Sequence, residues 1–160
     1  MTSDAGGVPG STPAGATPPQ TGLTPPTANL GIQPQRLFDS SYGDYATGNY
    51  VLAVQGFESY LGYFPKSQRA HEAQLYIGES LAGQKKDMDA VIAYDRVIAN
   101  YPGSASVPTA YYKRGAAFER LGDTARARES YEALIKQFPD TQQAVLAKQR
   151  LESANRPATR

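Results

Sequence analysis

The chain has 160 residues, a formal net charge of +1 at pH 7 and no cysteine. The missing cysteine excludes disulfides, thiolate zinc sites and a cysteine nucleophile. No block of like charges provides the basic stripe of a nucleic-acid-binding surface, and no apolar run approaches the roughly 18 residues that a membrane-spanning helix needs.

Residues 1–33 have an unusual composition. They contain six prolines and six glycines but only one charged residue, Asp4, and no aromatic residue. Such a segment cannot bury enough apolar surface to offset its chain entropy, so a disordered Pro/Thr/Gly/Ala linker is predicted for 1–33. Because the initiator methionine directly precedes this linker, we expect a truncated protein from which a signal peptide is absent.

From residue 34 onward, the same residue types return every 37 positions, three times. Each unit ends in an aromatic residue and a proline, at Phe64 and Pro65, Tyr101 and Pro102, and Phe138 and Pro139. A ring eight residues before each proline repeats with it, at Phe57, Tyr94 and Tyr131. A fixed period of this length indicates a stack of supersecondary units, which exposes a long surface. Binding is therefore favoured over catalysis.

Each unit is predicted to be a pair of helices closed by its proline, because proline cannot continue a helix beyond the first turn. The predicted helices span 35–46 and 50–63, then 70–81 and 87–101, then 107–121 and 124–138. A last helix over 142–153 has no partner and is predicted to cap the stack. The expected domain covers 34–155, with repeats at about 34–66, 67–103 and 104–140, a capping helix at 141–154 and a tail at 156–160.

Small residues are predicted to let the paired helices approach closely. On the second helix of each unit the small residue is an alanine: Ala53, Ala90 and Ala127. Opposite it on the first helix lies Ser41, Gly78 or Gly115. The rings of Phe57, Tyr94 and Tyr131 are then expected to fill the gap to the next unit. The predicted N-caps of the second helices are Asn49, Asp87 and Asp123.

The small residue, the aromatic residue and the proline at these spacings resemble the tetratricopeptide repeat, whose usual unit has about 34 residues. The present unit is longer, and the excess falls after each proline. The resemblance implies an all-α, right-handed superhelix of three helical hairpins plus a C-terminal capping helix. It also implies a protein-binding module without enzymatic activity.

The longer linker with its Tyr-Pro-x-Ser step is similar to that of bacterial envelope proteins, above all the family of the Tol-Pal-associated cell-division coordinator CpoB, also called YbgF. Residues 97–141 and 147–153 carry this resemblance. It implies a periplasmic adaptor that binds TolA and coordinates outer-membrane constriction with septal peptidoglycan synthesis. Two features depart from that family. The first repeat has Ser40, Ser41 and Asp44 at usually apolar positions, and the expected N-terminal coiled coil is missing.

The first helix of each hairpin is expected to line the concave face of the stack. Projecting the period gives rows of equivalent positions, which together with the charged neighbour Lys113 supply the predicted partner-binding residues: Phe38, Tyr42, Tyr45, Leu75, Glu79, Tyr112, Lys113 and Glu119. An apolar row flanked by mixed charge suits an amphipathic helix or an extended peptide. The alternative is that these rings pack the core, as is expected for Tyr76 and Tyr111 between the hairpins.

No catalytic residue, metal site or cofactor is predicted. His71 is the single histidine and is expected at the surface of a helix start. Asp87 and Asp89 also lie at a helix start, where negative charge complements the helix dipole, so they need no metal. Neither a G-x-S-x-G elbow nor a phosphate-binding loop is present.

Two further functions stay open. A BamD-like scaffold in outer-membrane protein assembly would have the same long linker and Tyr-Pro-x-Ser step. A structural oligomerisation module would bind its own tail in the concave face. The expected partner is a protein or peptide rather than nucleic acid or membrane, the oligomeric state is undetermined, and a cytoplasmic location is the alternative to the periplasm.

Overall fold

The computed structural model describes residues 31–156, which form seven α-helices and no strand. Three hairpins are followed by a single helix: α1 (Pro34–Ala46) with α2 (Tyr50–Tyr63), α3 (Ala70–Gly83) with α4 (Asp87–Asn100), α5 (Ser106–Arg120) with α6 (Thr124–Gln137), and α7 (Gln142–Asn155). The predicted all-α class is confirmed. The largest differences from the predicted helix ends are at α3, which ends at Gly83 rather than Leu81, and at α7, which ends at Asn155 rather than Ser153. Most of the predicted linker and tail lies outside the described residues.

The stack curves because its first helices lie closer together than its second helices. Every helix packs against the next one along the chain, and α1 also contacts α3, α3 contacts α5, and α5 contacts α7. No comparable contact joins α2, α4 and α6 within residues 31–156. The surface formed by α1, α3, α5 and α7 is therefore the inner side of the curve. None of the described helices has the length and hydropathy required to cross a bilayer.

The repeated rings form the interior of the stack. Phe57, Tyr94 and Tyr131 are each exposed by 1% or less, and the three repeated alanines are buried with them. One core cluster joins the first two hairpins, and a second joins the second and third hairpins with α7. Burial of each ring stabilises the junction between hairpins, because apolar area removed from water contributes roughly 25 cal/mol per Å².

Glycine makes room for a ring within each of the later hairpins. A Cβ added at Gly78 would stand 2.5 Å from a ring carbon of Tyr94, and one added at Gly115 would stand 2.5 Å from Tyr131. The tyrosine of the second helix thus lies against the glycine of the first helix in the same hairpin. These rings therefore pack within their own hairpin as well as against the next one, as the shared core cluster shows.

In the first hairpin, the close approach between the two helices is made by a different glycine. Its Ser41 replaces the glycine, and the close approach is shifted to Gly56, where an added Cβ would collide with the Ser41 side chain. The Ser41 hydroxyl donates to the carbonyl of Leu37 at 2.7 Å, so it is satisfied inside the helix. Phe57 stacks on Tyr76 of the next hairpin, with ring centroids 5.4 Å apart.

The predicted N-caps have different outcomes. Asp123 caps α6 by accepting from the Arg126 backbone N–H, and that hydrogen bond lowers the pKa of the Asp123 carboxyl. Asn49 occupies the N-cap position of α2 but makes no capping bond with its side chain. The assignment of Asp87 is wrong: Lys86 holds the N-cap position, and Asp87 is the first helical residue. Its carboxylate instead accepts from Arg120 of α5 at 2.6 Å.

The turn inside each hairpin needs one residue with positive φ. Gly48 and Gly122 supply it in the first and third hairpins, with φ of 82° and 75°. The equivalent residue of the second hairpin is Lys85, with φ of 63°. A side chain with a Cβ is strained in this left-handed conformation, whereas glycine is not.

We therefore expect Lys85→Gly to raise the free energy of unfolding by about 0.5–1 kcal/mol, measured by equilibrium urea denaturation. Lys85→Ala is the control, since it removes the long side chain but keeps the Cβ, and it should bring no gain. Equal stability of the glycine variant and the natural chain would contradict the strain argument.

Candidate functional site

The inner groove is the surface that α1, α3, α5 and α7 form together. Three side-chain contacts, one at each junction, connect neighbouring first helices across it: Tyr42 with Tyr76, whose ring centroids are 5.2 Å apart, Glu79 with Lys113 at 3.5 Å, and Glu119 with Arg150 at 3.3 Å. The second residue of each pair occupies the same position of the 37-residue period. The groove is therefore aromatic at its first junction and ionic at the other two.

Four tyrosines form an aromatic cluster at the α1–α3 end of the groove; we call Tyr42, Tyr45, Tyr50 and Tyr76 the tyrosine cluster. The ring centroids of Tyr45 and Tyr76 are 5.0 Å apart, and those of Tyr42 and Tyr45 are 5.9 Å apart. The Tyr50 ring lies 6.1 Å from that of Tyr45 and packs against Gly83 at the end of α3. Tyr42 is 44% exposed and forms the open side of the cluster.

Glu79 connects the tyrosine cluster to the rest of the groove. The Tyr45 hydroxyl donates to Oε2 of Glu79 at 2.6 Å, and Nζ of Lys113 approaches the same oxygen. Burial, reinforced by the hydrogen bond to Glu79, raises the pKa of Tyr45 well above its ordinary value. Tyr45 is therefore a neutral donor with a fixed orientation, and it holds the carboxylate of Glu79 in the middle of the groove.

The opposite end of the groove is an open cleft between α5 and α7. Its volume is about 410 Å³, and it is lined by Tyr112, Leu146, Gln149, Arg150 and Ser153. The ring of Tyr112 packs against Tyr131 beneath it, with centroids 5.8 Å apart. The last helix thus contributes side chains to the groove in addition to covering the core.

Two of the predicted partner-binding residues lie in the core rather than on the groove. Phe38 is 1% exposed, meets Phe57 and Tyr60 edge to face, and carries the Arg69 guanidinium 3.4 Å above its ring. Leu75 is 9% exposed and belongs to the core cluster of the later hairpins. The period predicts which way these side chains point but not how deeply they are buried. Phe38 and Leu75 are therefore no longer proposed as contact residues.

The other predicted residues are on or beside the inner groove. Tyr42, Tyr45 and Glu79 are brought together by the contacts just described, and Tyr112, Lys113 and Glu119 line the part formed by α5. That these six bind a partner remains a proposal. Leu146, Gln149 and Arg150 of α7 also line the groove but were not predicted, because this helix was expected only to cap the stack. One further period added to Tyr112 and Lys113 leads to Gln149 and Arg150, so the signal was available.

The single histidine lies away from the groove contacts. Nδ1 of His71 is 2.7 Å from the Ser106 hydroxyl, which ties the start of α3 to the start of α5. No group of three or more histidine or acidic side chains within residues 31–156 is placed to hold a metal ion.

Comparison with known proteins gives one family. The model of the family YfiO, described as an outer membrane lipoprotein, matches residues 31–158. No curated protein matches the chain.

Several solved structures share the fold at low sequence identity. The Arabidopsis OM64 TPR domain superposes with a TM-score of 0.62 at 14% identity, covering 76% of this chain and 95% of that one. The second TPR domain of human RPAP3, solved in complex with the HSP70 peptide SGPTIEEVD, gives 0.60 at 18% identity and covers 75% and 98%. MamA gives 0.57 at 21% identity and covers 75% and 69%. The tetratricopeptide-type superhelix is thereby shown.

Proposed function

Since the chain belongs to the YfiO family of outer membrane lipoproteins, we propose that it is a periplasmic scaffold of the cell envelope whose inner groove holds a segment of a partner protein. Tetratricopeptide folds and this family are typically non-enzymatic. Of the functions that the sequence left open, the family match supports the BamD-like scaffold in outer-membrane protein assembly over the TolA-binding adaptor.

The observation that carries this proposal is a groove with accessible aromatic rings at both ends. Tyr42 is 44% exposed at one end, and Tyr112 borders the open cleft at the other. Aromatic side chains bury a large area at low entropic cost and are enriched among the residues that dominate binding energy. A trough of this kind suits an amphipathic helix or an extended peptide, and the RPAP3 domain with a similar fold was solved with a peptide bound.

The TolA-binding adaptor is the second candidate. It is supported by the similarity of residues 97–141 to the CpoB family and by the long linker after each proline. Both candidates place the partner in the same groove, so partner identity separates them.

A photo-reactive amino acid placed at residue 42 or at residue 149 in living cells identifies the partner by mass spectrometry of the adduct. We expect both positions to capture components of outer-membrane protein assembly. Residue 92 is the matched control, because Ile92 is 46% exposed on α4, which does not line the groove. Adducts with TolA would contradict the proposed assembly scaffold and support the TolA-binding adaptor. Adducts only with other copies of this chain would indicate the oligomerisation module. Capture from residue 92 alone would refute groove binding.

A further inference from the structure

We propose that the tyrosine cluster receives a lysine or arginine side chain of the partner, so that the segment held in the groove is basic at the α1–α3 end. This inference rests on the proposed function, because it assigns a chemistry to the segment that the groove holds. Three features support it: the ring of Tyr42 is open, arginines cover other rings of the protein, and carboxylates lie near the cluster.

Cation-π contact is a recurring interaction in this protein. Arg69 lies 3.4 Å above Phe38, Arg126 lies 4.6 Å from the Phe118 ring centroid, and Arg114 lies 5.0 Å from that of Tyr111. No cationic side chain within residues 31–156 lies over a ring of the cluster. Tyr42, which is exposed, therefore offers an uncovered ring face to a cation from outside.

The charges around the cluster favour a cationic occupant. Arg69 pairs with both Asp39 at 3.7 Å and Glu72 at 3.1 Å, and Lys113 pairs with Glu79 at 3.5 Å. Among these paired side chains, three carboxylates meet two cations, an excess of one negative charge. At the α5–α7 junction, Glu119 and Arg150 balance each other.

Other occupants use the site less well. An apolar side chain would contact the rings but would leave the excess carboxylate charge without a partner. An acidic side chain would meet both that charge and the negative faces of the rings, and electrostatic mismatch of this kind suppresses wrong partners. A lysine or arginine satisfies the ring faces and the charge together.

The test uses the full chain and three 12-residue labelled peptides that alternate alanine with lysine, glutamine or glutamate, with binding followed by fluorescence anisotropy. We expect the lysine peptide to bind at least about tenfold more tightly than either of the others. Tyr42→Ala and Tyr42→Leu should weaken its binding about 3- to 30-fold, the range of an exposed to a desolvated cation-π contact, whereas Tyr42→Phe should keep it. Tyr63→Ala is the matched control, since Tyr63 is 39% exposed on α2, and it should have no effect.

Equal affinity for the glutamine peptide, or equal losses in the Tyr42→Leu and Tyr63→Ala variants, would overturn the inference. So would a partner captured from residue 42 whose adduct site carries no lysine or arginine nearby. In that case the groove would still be the binding surface, so the failure of this inference is distinguishable from failure of the proposed function. Circular dichroism of each variant establishes that a loss of binding does not come from unfolding.

Discussion

Truncating Tyr94 to alanine is expected to lower the free energy of unfolding by about 3–5 kcal/mol, which is the usual cost of deleting a large core aromatic. The ring is 1% exposed, lies against Gly78 of its own hairpin and belongs to the core cluster shared with the third hairpin. A loss of this size is a large part of the 5–15 kcal/mol typical of domains. Equilibrium urea denaturation measures it.

A double-mutant cycle shows whether glycine and ring act as a pair. Gly78→Ala alone should cost about 1–3 kcal/mol, because the new methyl group overlaps the ring and forces it to move. In the Tyr94→Ala background, the same change should cost nothing, since no ring remains. Gly43→Ala is the control, because a Cβ there meets no atom within 4 Å. An equal cost of Gly78→Ala with and without the ring would refute the pairing.

Replacing both Tyr42 and Tyr112 by alanine is expected to weaken binding of the captured partner by about 100- to 1000-fold. Each ring is an accessible aromatic residue at one end of the groove, and such residues commonly contribute about 2 kcal/mol when they dominate an interface. The two rings lie on α1 and α5 and do not contact each other directly, so their effects should add. Titration calorimetry with the purified partner gives the affinity.

The matched control for this double variant changes two exposed side chains that do not line the groove. Val51→Ala with Ile92→Ala alters α2 and α4, where these residues are 57% and 46% exposed. We expect its affinity to equal that of the natural chain. If the control variant lost as much affinity as the tyrosine variant while both stayed folded, the inner groove could not be the binding surface.

The helices and their order were predictable because two strong local signals coincide. Proline at positions 65, 102 and 139 ends each hairpin, and the ring eight residues earlier fixes which face of the second helix is buried. Asp87 was misassigned although the period places Lys86 at the N-cap position, between Asn49 and Asp123. The contact of its carboxylate with Arg120 comes from the next hairpin and is not contained in the local pattern.

The depth of side chains in the candidate site was less predictable. Phe38 and Tyr112 occupy equivalent positions of the period, yet Phe38 is buried and Tyr112 borders an open cleft. Phe38 meets Phe57 and Tyr60 edge to face and is covered by the Arg69 guanidinium, whereas Tyr112 lies beside the open cleft between α5 and α7. Contacts such as Arg69 over Phe38 depend on rotamers and on curvature, which a periodic pattern does not contain.

The most direct test of the binding groove is chemical-shift mapping of the labelled chain during titration with the captured partner segment. We expect the largest amide shifts in α1, α3, α5 and α7, centred on Tyr42, Glu79, Tyr112 and Gln149. Shifts confined to α2 and α4, around Val51, Met88 and Ile92, would contradict the assignment of the inner groove as the binding surface.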